Sequence, residues 1–194
     1  MEQAQTAVRV HEHRSRLLEG MAHAVAAKGY GDTTIADIVR EASVSRRTFY
    51  EHFATKAECL IALYEAASHN ALKVLRDAIH PEHEWQTQVE RALSAYLGTM
   101  ASNPVLMRTL FVEILALGPQ GLASRRRVNQ EIADFILAVV NSQRSKPLPP
   151  MMAMAIVGGI NELVLEYIEQ DRVSQLGDLV DTAGKLVRGV IEAG

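Results

Sequence analysis

Apolar residues recur along nearly the whole chain at intervals of three and four, and the apolar–polar alternation of a half-buried strand is hard to find. That periodicity points to one fold class, all-α. Val10, Leu17, Leu18, Met21 and Val25 form the stripe of a first helix, closed by Lys28-Gly29-Tyr30-Gly31-Asp32. Thr34, with Asp37 three residues on, has the form of a capping box. Ile35, Ile38 and Val39 then give a short second helix its apolar side. After the turn Ala42-Ser43-Val44, Ser45 is a good N-cap for a third helix, and Thr55 for a long one over about 56–79. Residues 9–53 therefore hold three helices, the last two short and close together. That is the shape of a unit containing a helix-turn-helix.

Further helices are expected over about 84–101, 104–117, 121–142, 151–170 and 174–192, punctuated by His80-Pro81, Pro104, Gly118-Pro119 and the run from Ser145 to Pro150. The expected organisation is a helix-turn-helix domain over 9–55 and a larger helical domain over 56–194. A chain of 194 residues with 48% hydrophobic and 22% charged residues can bury such a core and is unlike a disordered one. Cys59 is the single cysteine, so no internal disulfide forms, as suits a reducing compartment. No apolar run approaches the roughly 20 residues of a membrane span. The N-terminal MEQAQTAVRVHEHR lacks the apolar core of a signal peptide. The expected location is the cytoplasm.

With a formal charge of -3, any nucleic-acid contact must come from a local patch. The third helix carries one, in the stretch SVSRRTFYEHF over residues 43–53. At about 100° per residue Phe49 and Phe53 share a face that can pack on Leu17, Ile38 and Val44. Arg47, Thr48 and Glu51 then point away, with Arg46 and Tyr50 on a flank. Arginine suits both guanine edges and phosphates. Ser45, Thr48, Tyr50 and His52 can donate to phosphate oxygens, which sets register without reading sequence. Lys56 and Thr34 stand at helix N-termini, where phosphates bind well. Glu51 has two open readings: it accepts from a cytosine amino group, or it pairs with Arg47 four residues before it.

Residues 14–63 resemble the DNA-binding domain of the TetR family of transcriptional regulators. The resemblance rests on Lys28-Gly29-Tyr30, Thr33-Thr34, Ile38, Ala42-Ser43-Val44-Ser45, Thr48-Phe49-Tyr50, His52-Phe53 and Lys56. It implies that the third helix enters the major groove, with Arg46, Arg47, Thr48, Tyr50, Glu51 and His52 at positions that commonly meet DNA and Lys56 at a frequent phosphate contact. Ser43 and Arg47 depart from the family, which often has Gly at both places. The first departure implies a strained turn, the second a longer reach toward the bases.

The family's architecture further implies a homodimer built on the last two helices. Ile156, Gly159, Leu163, Tyr167, Leu179 and Val187 are its candidate interface residues. It also implies a small-molecule effector, for which Trp85, Tyr96, Met100, Met107, Phe111, Glu113 and Asn161 are candidates, with Met154 alongside. A lipophilic effector suits so apolar a set. No cofactor and no metal are expected: His11-Glu12-His13 and the cluster around His80 and His83 lack zinc-site spacing. The function expected is that of a repressor that binds a palindromic operator and is released by its effector. Two readings compete with it, a DNA-binding protein without an effector and an all-α enzyme using the His/Glu clusters.

Overall fold

Among the described residues of the computed structural model (2–80, 82–142 and 144–193, with side chains from residue 10) every regular element is helical. Pro81, expected to break the chain after the long helix, lies outside them. Helix α1 (Glu2–Asp32) is interrupted at Gly29, whose φ of 78° is not helical, so the breaker read from sequence is a kink with one last turn beyond it. α2 (Ile35–Glu41) opens on the full capping box of Thr34 and Asp37, and α3 (Arg46–His52) on Ser45. α4 (Lys56–Asp77) begins at Thr55, whose hydroxyl accepts from the Glu58 N–H at 3.1 Å. The local capping chemistry is as expected because it needs nothing beyond neighbouring residues.

Beyond α5 (Trp85–Ala101) the expected 104–117 helix stops early. α6 (Pro104–Phe111) gives way to a 3-10 turn, Glu113–Leu117, which ends at Gly118 with φ 58°. α7 (Pro119–Asn141) starts two residues before its expected place because proline is favourable in a first helical turn. α8 (Pro150–Glu169) is followed by a 3-10 segment, Val173–Leu179, and then α9 (Val180–Ala193). One expectation is corrected here. By length and composition α8 does reach the size of a membrane span, with 20 residues and a mean hydropathy of 1.5 over its most apolar window. In the structure it packs on α9 and on the 173–179 segment.

The chain divides into two compact units, residues 1–67 with 108–124, and residues 68–107 with 125–194. A single division at 55/56 would place both the start of α4 and the 108–124 segment elsewhere. That segment joins the first unit through a contact 83 residues apart in sequence: the Tyr30 N–H donates to Glu113 Oε2 at 2.9 Å. The first unit's core holds Leu17, Met21, Ile38, Phe49, Cys59 and Leu60, all fully buried. The second unit's includes Leu97, Leu148, Ile156, Val164 and Leu176.

Candidate nucleic-acid interface and ligand cavity

α3 is seated by its aromatics and exposes its polar face. Phe49 is fully buried and Phe53, at the C-cap, nearly so, their rings 5.8 Å apart. Ser45, Arg46, Arg47, Tyr50 and Glu51 are exposed, while Thr48 and His52 are half-buried. Ser45 Oγ accepts from the Thr48 N–H at 3.0 Å and lies 2.9 Å from the Thr48 hydroxyl. Tyr50 is 57% exposed, its ring edge-on to Phe49. Of the two readings of Glu51, the structure contains the pair: Arg47 Nε donates to Glu51 Oε1 at 3.1 Å. The Arg47 side chain is 90% exposed, so solvent screens this pair and it is easily exchanged.

Two other expected contacts are engaged elsewhere. Lys56 Nζ donates to the carbonyls of Tyr30 at 2.9 Å, Gly31 at 3.2 Å and Thr33 at 2.8 Å, and lies 4.4 Å from the Tyr30 ring centre. All three ammonium protons are used to cap the end of α1, so Lys56 is not a free phosphate donor. The Thr34 hydroxyl, in turn, donates to Asp37 Oδ2 at 2.6 Å. Lys28 first, and then Thr34, hold the Asp37 carboxyl well below the usual carboxylate range. For His52, burial foremost, then His13 and Arg14, lowers the imidazole pKa.

Sequence reasoning missed Arg16 and Arg40. Arg16 Nη2 donates to the Ser43 carbonyl at 2.6 Å, holding the turn residue whose φ is 49°. No sequence signal links positions 27 apart. Arg40 lies in the last turn of α2, its guanidinium paired with Asp37 at 3.1 Å yet 67% exposed. A basic residue in a helix's last turn was the available signal.

The second unit holds a partly open apolar cavity of about 90 Å³ whose lining includes Leu93, Tyr96, Phe135, Ile156, Ile160 and Asn161. Asn161 is 8% exposed and its Nδ2 donates to Asn129 Oδ1 at 3.2 Å. A groove of about 380 Å³ contains Trp85 in its wall. Tyr96, Asn161 and Trp85 are thus the expected ligand residues that line this space. Met100 and Met107 are buried but not among its lining residues, and Met154 is half-buried. Phe111 and Glu113 belong to the first unit, where the Glu113 carboxylate is committed to Tyr30.

The expected dimer face needs correction in the same way. Ile156, Leu179 and Val187 are buried in this chain's own core, out of a partner's reach. Gly159 allows close approach within the chain, because a Cβ there would stand 2.8 Å from Leu186 Cδ2. Leu163 and Tyr167 are half-buried, and the Arg172 guanidinium lies 4.5 Å from the Tyr167 ring centre. The outward face of α8 is instead Met151, Ala155, Gly158 and Glu162, at helical spacing. Met151 is 76% exposed, and nothing lies within 4 Å of a Cβ built on Gly158.

Residues 17–63 match the family described as bacterial regulatory proteins, tetR family. Among curated relatives, the chain is 30% identical over 90 residues to the uncharacterised HTH-type transcriptional regulator TtgW of Pseudomonas putida. That alignment covers 46% of this chain and 67% of TtgW. It is also 30% identical over 77 residues to the uncharacterised HTH-type transcriptional regulator YxbF of Bacillus subtilis (strain 168), covering 40% of this chain but 20% of that protein's length. In three dimensions the chain is similar to the transcriptional regulator FadR of Bacillus subtilis, solved in complex with stearoyl-CoA. The TM-score is 0.78 at 15% identity, over 89% of this chain and 96% of that one. At that identity the likeness is one of fold.

Proposed function

Since the chain belongs to the TetR family of bacterial transcriptional regulators, we propose that it is a cytoplasmic repressor that binds a palindromic operator as a homodimer and is released by a small molecule. The observation that carries the reading is the division of α3, with Phe49 and Phe53 buried beneath and Arg46, Arg47, Tyr50 and Ser45 exposed above. Such a helix can enter a major groove with its donors toward the bases while its aromatic side remains in the core. Ser45, Thr48, Tyr50 and His52 are its positioning contacts, Arg46 and Arg47 its base readers, and Glu51 a carboxylate that leaves Arg47 or accepts from a cytosine.

The dimer uses the outward face of α8, where Ala155 and Gly158 permit close helix approach and Met151 supplies apolar area. Leu163 and Tyr167 flank it. A two-fold dimer presents two copies of α3 to half-sites about one helical turn apart. The cavity favours the effector-responsive reading over a constitutive one, since a space lined almost wholly by apolar side chains suits a lipophilic molecule. FadR, with its stearoyl-CoA, is a regulator of similar fold that holds such a molecule. Release follows by population shift: an effector that prefers the conformation unable to bind DNA draws the dimer off its site.

The test is direct. The purified protein should bind duplex DNA with an affinity that falls steeply with salt, and a variant with both Arg46 and Arg47 changed to Ala should lose that binding while still folded. Unchanged binding by the double variant removes α3 from the DNA. In a transcription assay, a fall in output from a promoter carrying the selected site marks a repressor and a rise an activator.

A further inference from the structure

The apolar cavity and the groove share the lining residues Ile79, Val89, Val139, Val140 and Ile191, so two spaces of different chemistry adjoin. At about 90 Å³ the cavity is smaller than the roughly 150 Å³ void that admits one benzene, so it takes the last few carbons of a chain. The groove is different. Trp85, Gln86, Gln88, Arg144 and Glu192 bring polar groups to it. Arg144 is the one cation among its lining residues. Its Nη1 donates to the Ile191 carbonyl at 2.6 Å and its Nε to the Lys146 carbonyl at 3.0 Å, which fixes the guanidinium against the groove wall. Glu192 opposes an anion there, but it is exposed and screened by water, whereas Arg144 is half-buried and less so. The attraction therefore outweighs the repulsion.

We propose that the two together bind a single-chain amphiphile with an anionic head, its hydrocarbon end in the cavity and its carboxylate on Arg144. The consequence for DNA rests on the reading of this protein as an effector-released regulator; the binding itself does not. Neither a neutral nor a cationic head of the same chain length matches the groove. A charge-assisted hydrogen bond from the guanidinium to the carboxylate supplies the preference for the acid.

Calorimetry on the full chain with decanoate, decanol and decyltrimethylammonium, each below its micelle concentration, tests this. Decanoate should bind about tenfold more tightly than decanol, the range a charged hydrogen bond provides, and the ammonium more weakly than either. Arg144→Gln should bring decanoate to the level of decanol and leave decanol unchanged, while Arg144→Lys retains part of the preference. Equal binding of decanoate and decanol by the native protein overturns the proposal, without recourse to a variant. So does an equal loss of both in Arg144→Gln, which marks Arg144 as a prop for the end of α9. Binding of decanoate with no change in operator affinity keeps this site and contradicts the effector reading. Operator release by another molecule, without decanoate binding, does the reverse.

Discussion

Arg47 and Lys56 are both cations that sequence places near DNA, and their surroundings separate them. Arg47 stands in water with one exchangeable partner, and Lys56 is wedged between three carbonyls and a tyrosine ring. Arg47→Ala should leave the melting temperature nearly unchanged and cost about 1–3 kcal/mol of operator affinity, with relaxed base preference. Lys56→Ala should lower thermal stability by roughly 2–3 kcal/mol, since three acceptors at the end of α1 lose a charged donor. Thermal denaturation and fluorescence anisotropy on the two proteins separate these roles, and a stable Lys56→Ala protein would contradict the second. Asp37 makes a further prediction at this scale. Its carboxyl pKa is depressed in the folded state, so below its ordinary value of 3.8 the unfolded chain binds the extra proton. Its contribution is complete above that pH and is lost as pH falls toward the native value. Acid denaturation profiles should show Asp37→Asn with a shallower loss of stability below about pH 4.

Elements show which parts of the account were legible from sequence. The caps at Thr34, Ser45 and Thr55 were, because a hydroxyl and an amide three residues apart need no tertiary context. The end of α6 was not: a 3-10 turn and Gly118 stop a helix whose apolar spacing continues. Nor was the partner of Glu113, set by the chain's return to Tyr30 from 83 residues away. Periodicity alone does not say whether the same chain or a second copy buries an apolar residue, which is why Ile156, Leu179 and Val187, expected at a dimer face, lie in this chain's own core. The turn between α2 and α3 gave the better signal. Serine where the family often has glycine implied strain, and Ser43 indeed has a φ of 49°. That conformation costs a non-glycine residue about 1–2 kcal/mol, offset in part by a stiffer unfolded chain. Ser43→Gly should therefore stabilise the protein by about 0.5–1 kcal/mol in chemical denaturation, and a loss would show that the turn is unstrained.

At the scale of the whole molecule, the proposed reading of a palindromic operator requires two copies of the chain. Gly158 faces open space in a single chain, so Gly158→Arg disturbs nothing within it. The variant should sediment as a folded monomer where the native protein sediments as a dimer, and a dimeric Gly158→Arg protein would place the interface elsewhere. Cys59 offers a check on the integrity of either form. Burial pushes its thiol up to about 12, so it should react with thiol reagents only on unfolding.

We propose that the exposed side of α3 reads DNA from a two-fold dimer, and selection of bound sequences from a random duplex pool is the decisive experiment. The native protein should enrich an inverted repeat with half-sites about one helical turn apart, and Arg47→Ala should enrich the same repeat with one position in each half-site degraded. No enrichment by a folded dimer, or an identical motif from both proteins, would contradict it.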